Sequence, residues 1–311
     1  MSSVVITGGA GFIGSALARR LLDRGDEVLI LDNLSTGVEA NLPKGAAFVR
    51  GDVSRLSSLE GLPTAPSAVF HLAAQSSGEA SFDDPLADFD HNTRGTFLLL
   101  QWSLRNGAGR FVYASSMSVY GECEGTTPVA ETAQLAPRSY YGAAKLASEV
   151  YVNLFSRLGL KTTIFRPFSV YGPGQNMANR RQGMVSIYLS YLLENAPIVV
   201  KGDMERFRDH VNVADVVDAF LLALESDRAC GRTYNLGTGV RTSVGDLLGK
   251  LIRYTGKPPD YPISRAAGTP GDTRGCVADI SLIGRDLDWT PRKTLDEGLQ
   301  EMISYYLDRE A

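Results

Sequence analysis

The sequence predicts an α/β protein: a doubly wound parallel sheet followed by a smaller C-terminal α/β lobe. Three observations carry that reading. Over the first 166 residues short β-branched runs alternate with longer stretches of helical period, the rhythm of parallel strands joined by crossover helices. A glycine-rich turn, VVITGGAGFIG at 4–14, separates the first run from the first helical stretch. Beyond about residue 166 the alternation weakens and Gly/Pro punctuation takes over, as in GPGQ at 172–175, GKPP at 256–259 and GTPGD at 268–272.

The runs at 3–7, 27–31, 46–50, 68–71, 110–114 and 161–165 are rich in Val, Ile, Leu and Phe and too short for helices, so they read as buried strands. Between them, 12–24, 85–106 and 139–158 repeat apolar residues at helical spacing. The division follows: residues 1–166 form a cofactor-binding domain and 167–311 a second lobe, with the chain crossing between them. No long polar linker interrupts the chain, so the lobes should pack tightly.

Composition narrows the function classes. With 44% hydrophobic and 21% charged residues the 311-residue chain is globular and enzyme-sized. A net charge of −4 without runs of like charge gives no electrostatic support for a nucleic-acid or membrane-surface partner. No apolar run approaches a membrane span and MSSVVITGG lacks a basic leader, so a cytoplasmic location is expected. Cys123, Cys230 and Cys276 are odd in number and far apart, which predicts reduced thiols and no metal site.

The chemistry begins at the turn. Gly8, Gly11 and Gly14 stand where bare backbone approaches a pyrophosphate, and Phe12 and Ile13 open the helix whose N-terminus favours that anion. The second strand ends in Leu31-Asp32, 18 residues past Gly14, with Asn33 next. A carboxylate there accepts ribose hydroxyls and repels a 2′-phosphate, which favours NAD over NADP. Asp52 and Val53 follow the third strand, at the adenine, and Leu72, Ala73 and Ala74 follow the fourth with small side chains where a cofactor passes. The same small residues also suit plain helix–sheet packing.

Tyr141 and Lys145 lie four apart and share a helix face. An ammonium beside a phenol favours the phenolate, lowering the phenol toward working pH and making a general base. Ser116 lies just past the carboxyl end of the 110–114 run, where doubly wound sheets place ligands, and can hold a substrate oxygen, with Ser115 and Ser118 in support.

These motifs in order, TGGAGFIG, Asp32, HLAA at 71–74, Asn92-Thr93, the Ser116 segment, YGAAK at 141–145, RPFSVYGPGQ at 166–175, ADIS at 278–281 and DLDW at 286–289, resemble the nucleotide-sugar epimerases and dehydratases of the extended short-chain dehydrogenase/reductase family. The resemblance implies a Rossmann domain holding NAD, with Asn92 near it, and a C-terminal lobe gripping a nucleoside-diphosphate sugar. It implies a catalytic set of Ser116, Tyr141 and Lys145, and a homodimer through a four-helix bundle of 85–106 and 139–158. The apolar faces of those helices equally suit ordinary core.

Within that family the residues after Ser116 discriminate. Sugar 4,6-dehydratases place an Asp-Glu pair there for acid and base at C5 and C6; here Met117 and Ser118 stand in its place. Reversible hydride transfer remains, which predicts an NAD-dependent 4-epimerase of a nucleoside-diphosphate hexose. Another NAD-dependent nucleotide-sugar enzyme (a uronate 4-epimerase, a dehydratase or a ketosugar reductase) and a non-catalytic NAD-binding protein are the alternatives. Glu122 and Glu124 read as loop surface.

For the substrate, Arg208 matches a family segment whose Arg reaches the diphosphate. The family's RPGD turn reads Thr269-Pro-Gly-Asp272, so Arg265 or Arg274 would have to substitute. Ser169 stands where many UDP-hexose epimerases carry Asn, and Asn176 where relatives acting on UDP-glucuronate carry Arg, with Arg180 and Arg181 close by. Cys276 falls beside the sugar's C2 substituent in the family, where a small side chain leaves room for an N-acetyl group; alternatively it is a buried thiol.

Overall fold

In the computed structural model, which describes residues 2–123 and 128–310, the six expected strands form as β1 (Ser3–Thr7), β2 (Glu27–Asp32), β3 (Ala47–Arg50), β4 (Ala68–His71), β5 (Phe111–Ala114) and β6 (Thr162–Pro167). A seventh, Arg232–Leu236, joins from the far half of the chain. The all-parallel sheet runs Arg232–Leu236, β6, β5, β4, β1, β2, β3. Its order reverses between β1 and β4, which opens a crevice beyond their carboxyl ends.

Alternation along the strands divides their side chains between two cores. Val4, Ile6, Ile30, Phe70, Val112 and Phe165 meet Leu17 and Leu21 of the Phe12–Asp23 helix and Val216 and Phe220 of the Val213–Glu225 helix. Val5, Leu31, Val69, Phe111, Tyr113 and Ile164 meet Leu99 and Trp102 on one helix and Val152 and Phe155 on the other.

The stretch 85–106, expected as one helix, changes winding midway. It starts at Pro85–Phe89, where Asp84 Oδ1 caps Ala87 N at 2.9 Å, opens into a π turn over Asp90–Arg94 and resumes as Gly95–Arg105. The Asn92 carbonyl accepts Thr96 Oγ1 at 2.5 Å and Ser148 Oγ at 2.8 Å, so side chains satisfy it outside the regular ladder.

The second lobe has its own core, including Tyr171, Leu189, Leu192, Leu248, Leu251 and Met302. The chain leaves it again: residues of the 211–236 and 283–289 segments pack into the core of the main sheet. A boundary at 166 therefore marks the first crossing but does not divide the core.

Cys123 and Cys276, expected as reduced thiols, form a disulfide with Cα atoms 5.4 Å apart across 153 residues. The Val129–Ala278 bridge lays the two segments side by side, a proximity that spacing in the sequence does not encode. Cys230 is free. No helix among the described residues is long and apolar enough to cross a membrane.

Candidate active site

A cavity of about 740 Å³ extends from the β1–β4 crevice into the second lobe. The three glycines at its head act differently. A Cβ on Gly8, at φ +75°, would fall 2.5 Å from Ala73 N, and one on Gly14 would fall 2.2 Å from Gly8 O, so both are demanded by packing. Gly11 caps the Phe12–Asp23 helix without a side chain and leaves its N-terminus open to the cavity, an anion site by its backbone donors and dipole.

Asp32 ends β2 with its carboxylate fixed: Oδ2 accepts from Ala10 N at 3.0 Å and Oδ1 from Leu34 N at 2.8 Å. Its neighbours on the wall, Asn33, Ser35 and Thr36, are uncharged, so nothing beside it would hold a 2′-phosphate. Phe12, Ile13, Val53, Leu72, Ala73 and Ala74 line the same end. An open helix N-terminus, a fixed carboxylate and a strip of small side chains fit a dinucleotide without a 2′-phosphate.

Farther in, the cavity meets Ser115, Ser116, Met117, Ser118, Tyr141 and Lys145. Ser116 starts a short 3-10 turn, its Oγ accepting Ser118 N at 3.1 Å and lying 3.1 Å from Ser118 Oγ. Ser139 caps the Tyr140–Arg157 helix that carries Tyr141 and Lys145 on one buried face. Lys145 Nζ donates to Ala114 O at 2.8 Å and lies 4.9 Å from the Tyr113 ring centre and 5.9 Å from that of Tyr141. The β5 carbonyl thus anchors the ammonium.

The expected lowering of Tyr141 by Lys145 is not what this pocket does. Burial pushes the phenol up to about 12, against a hydrogen bond with Ser116 and helped by the charge of Asp88. Burial also pulls the Lys145 ammonium down to about 8, with Asp88 and Glu149 opposing. Burial thus disfavours the charged form of both groups.

That burial has a stability consequence. The folded value of about 8 lies below the ordinary 10.5, so the penalty is full below pH 8, where the ammonium is charged folded and unfolded, and is gone above 10.5, where it is neutral in both. Lys145→Met is expected to be more stable than the parent by on the order of 3 kcal/mol at pH 7. Urea denaturation from pH 7 to 10.5 should show that gap closing; a gap that stays constant would contradict it.

Beneath the serines lies a buried network. Glu149, one turn beyond Lys145, accepts Ser115 Oγ at 2.5 Å and Arg166 Nε at 2.9 Å and Nη2 at 2.6 Å. Arg166 Nη1 also donates to Tyr120 Oη at 2.9 Å, and Tyr120 donates to Asn235 Oδ1 at 2.6 Å. The network ties β6, the returning strand Arg232–Leu236 and the Tyr140–Arg157 helix to the segment carrying Ser116.

At the far end Arg206 and Arg208 both reach the carboxylate of Asp272, Arg208 at 2.6 Å. Burial, with Arg206 beside it, pulls Arg208 down to about 10. Arg265 and Arg274, expected to replace the missing Arg of the turn, are off the cavity wall; Arg265 is exposed on the Ile263–Ala266 strand, and Arg274 N donates to Glu122 Oε1 at 2.9 Å. Arg206 is the cation that stands beside Arg208. The alternation Arg-Phe-Arg at 206–208 was the available signal, because it turns both guanidiniums to one side.

Three other expected site residues are also off the wall. Asp52 Oδ1 accepts from Ser54 N at 2.8 Å and Ser54 Oγ at 2.7 Å, and Oδ2 accepts from Asn33 Nδ2 at 3.3 Å. Asn92 is wholly buried in the π turn, bonding Gln75 O at 2.9 Å and Asp88 Oδ1 at 3.0 Å. Cys276 is buried and bonded to Cys123, so no thiol stands beside a ligand. Ser169 is on the wall. Glu122 is exposed and paired with Arg138 at 2.5 Å, as loop surface should be; Glu124 lies outside the described residues.

The sheet order, the open helix N-terminus at its switch point and a Ser-Tyr-Lys group facing the same cavity define a dinucleotide-dependent enzyme of the short-chain dehydrogenase/reductase type. The chain belongs, more narrowly, to the NAD dependent epimerase/dehydratase family, whose model matches residues 4–237, and NAD is its cofactor. It is 36% identical to a UDP-glucose 4-epimerase of Mycolicibacterium smegmatis over 98% of each chain. Among solved structures it is similar to the UDP-glucose 4-epimerase of Thermotoga maritima with UDP-glucose, at TM-score 0.93 and 34% identity over 99% of this chain and 100% of that one. It is similar also to the Thermus thermophilus UDP-glucose 4-epimerase complexed with NAD, at TM-score 0.90 and 34% identity over 98% and 99% of the two chains.

Proposed function

We propose that the protein is an NAD-dependent 4-epimerase of a nucleoside-diphosphate hexose, with UDP-glucose and UDP-galactose as the leading pair. One observation carries the reading: beside Ser116 the wall is Met117 and Ser118, and the acids that do line the cavity are engaged elsewhere. Asp32 holds backbone amides, Glu79 pairs with Lys201 at 2.8 Å and Asp272 with two arginines. Among the described residues lining the cavity, eliminating water across C5 and C6 finds no acid free of a partner, and epimerisation needs none beyond Tyr141.

In this mechanism Tyr141 takes the proton of the sugar's 4-hydroxyl and later returns it, while Ser116 hydrogen-bonds that oxygen throughout. NAD, when bound, would supply the acceptor and donor for the C4 hydride. Burial holds Tyr141 at about 12, so the phenolate has to be favoured by charge beside it. Lys145, held by Ala114 O, supplies the positive charge that favours this. The 4-keto sugar turns over before the hydride returns, so no net oxidation occurs. Arg206 and Arg208 hold the diphosphate in place of Asp272.

A panel of nucleotide sugars incubated without added NAD, with products resolved by NMR, tests the reading. Interconversion of UDP-glucose and UDP-galactose is expected. A 4-keto-6-deoxy product would make the enzyme a dehydratase, and turnover of UDP-glucuronate alone a uronate epimerase. Arg180 and Arg181 also line the cavity, paired with Glu194 and with Asp83 at 2.6 Å, and turnover of UDP-glucuronate would require one of them to exchange that carboxylate for the sugar's. Asp32→Asn is expected to weaken NAD roughly tenfold and narrow its advantage over NADP, as read by fluorescence titration.

A homodimer belongs to the same proposal. The 85–106 and 139–158 stretches leave Leu86 71%, Phe89 51%, Val150 62% and Leu158 59% exposed, a set suited to covering by a second copy. Light scattering that returned a monomer at micromolar concentration would count against it.

A further inference from the structure

We propose that His210, with Ser169 beside it, reads a neutral hydroxyl of the ligand next to the diphosphate, which makes His210 a binding residue of the cavity wall. The inference rests on the nucleoside-diphosphate-sugar reading above and adds a contact to it.

Register fixes where the imidazole sits. The strand His210–Asn212 pairs in parallel with Ser169–Tyr171, placing His210 opposite Ser169. Alternation sends Asp209 and Val211 to the other side: Asp209 accepts from Thr238 N at 2.7 Å, Gly239 N at 2.9 Å and Ala278 N at 3.0 Å, and Val211 packs in the sheet core. Arg208 and His210 therefore share a face, and both line the cavity with Ser169.

His210 is only 4% exposed, yet neither ring nitrogen has a hydrogen-bond partner among the described residues. Its nearest ring, Tyr171, stands edge-on with centroids 6.2 Å apart and satisfies neither nitrogen. A buried polar group left unpaired carries a desolvation penalty and calls for an explanation. Among the described residues only His210 and Gln175 combine such an atom with a place on the cavity wall, and only His210 leaves both of its atoms unpaired.

The ligand chemistry follows from the ring. Burial and the neighbouring Arg208 charge hold the imidazole neutral, and a neutral imidazole presents one N–H and one lone pair. A hydroxyl can serve whichever nitrogen it meets, donating to the lone pair or accepting from the N–H; an anion can only accept and is already served by Arg206 and Arg208. Ser169, opposite His210 in the strand pair and on the same wall, adds a second donor and acceptor. Ribose and hexose both offer hydroxyls flanking the diphosphate.

Calorimetry on the NAD-loaded protein separates the possibilities, with UDP and UDP-glucose as probes and His210→Phe and His210→Gln as variants. His210→Phe is expected to bind UDP-glucose about tenfold more weakly, with melting temperature unchanged or raised, and His210→Gln to recover part of the loss. Equal weakening toward UDP assigns the hydroxyl to the ribose; weakening confined to UDP-glucose assigns it to the hexose. A His210→Phe protein that binds both probes within twofold of the parent overturns the proposal. So does one that loses melting temperature and affinity together without recovery in His210→Gln. A parent protein that binds neither probe overturns the functional reading itself, and this contact with it.

Discussion

Tyr141→Phe is expected to lower kcat by roughly 10²–10⁴-fold, the usual worth of a positioned acid–base group, with little change in KM. The substitution removes one oxygen from a side chain that is 8% exposed, so it leaves packing intact and isolates the proton transfer. Turnover within threefold of the parent would mean that another group moves the proton. The same pair sets the pH profile. Tyr141 and Lys145 sit at about 12 and about 8, so the pair first loses a proton near pH 8 and holds one proton between those values. Phenolate with ammonium has that proton count, as does phenol with amine, and their ratio is fixed. The expected kcat/KM therefore rises with pH up to about 8 and then levels. A profile flat from pH 6 to 9 would contradict this.

The second large effect is on stability. Glu149→Leu should destabilise the fold by about 3–5 kcal/mol, because it leaves the Arg166 guanidinium buried without its counter-charge. The side chains are only 5% and 4% exposed, so added salt should not rescue the loss. Combining Glu149→Leu with Arg166→Met should restore much of it, since a buried pair exchanged for apolar side chains is often near neutral. Two single variants within 1 kcal/mol of the parent in chemical denaturation would show that the pair is not what holds Ser115 and Tyr120.

The sheet was legible because its strands are short, apolar and separated by helices of clear period. The strand Arg232–Leu236 was not: RTYNL is half polar, and Asn235 is buried there only because Glu131, Val129 and Tyr120 bond it. Ser116, Tyr141, Lys145, Asp32 and the glycines were legible because each stands at a fixed offset from a strand end. Asn92 and Asp52 stand off the cavity wall, and motif position does not tell whether a polar side chain faces a ligand or satisfies its neighbours. Cys276 failed differently, since its partner lies across 153 residues. Arg206 and His210 sat in plain alternation with Arg208, but which face of that short segment meets the cavity is decided by its pairing with Ser169–Tyr171 and Thr242–Ser243.

The late return of Arg232–Leu236 bears on how the chain is made. On the ribosome, β6 emerges with one hydrogen-bonding edge bare and stays so until residue 236 clears the exit tunnel. Phe165 waits as long for Phe220 and Tyr234. Translation halted anywhere between 167 and 231 would release a polypeptide with an open parallel edge and a half-covered apolar face, the form that sticks to its own kind and that chaperones and proteases seize.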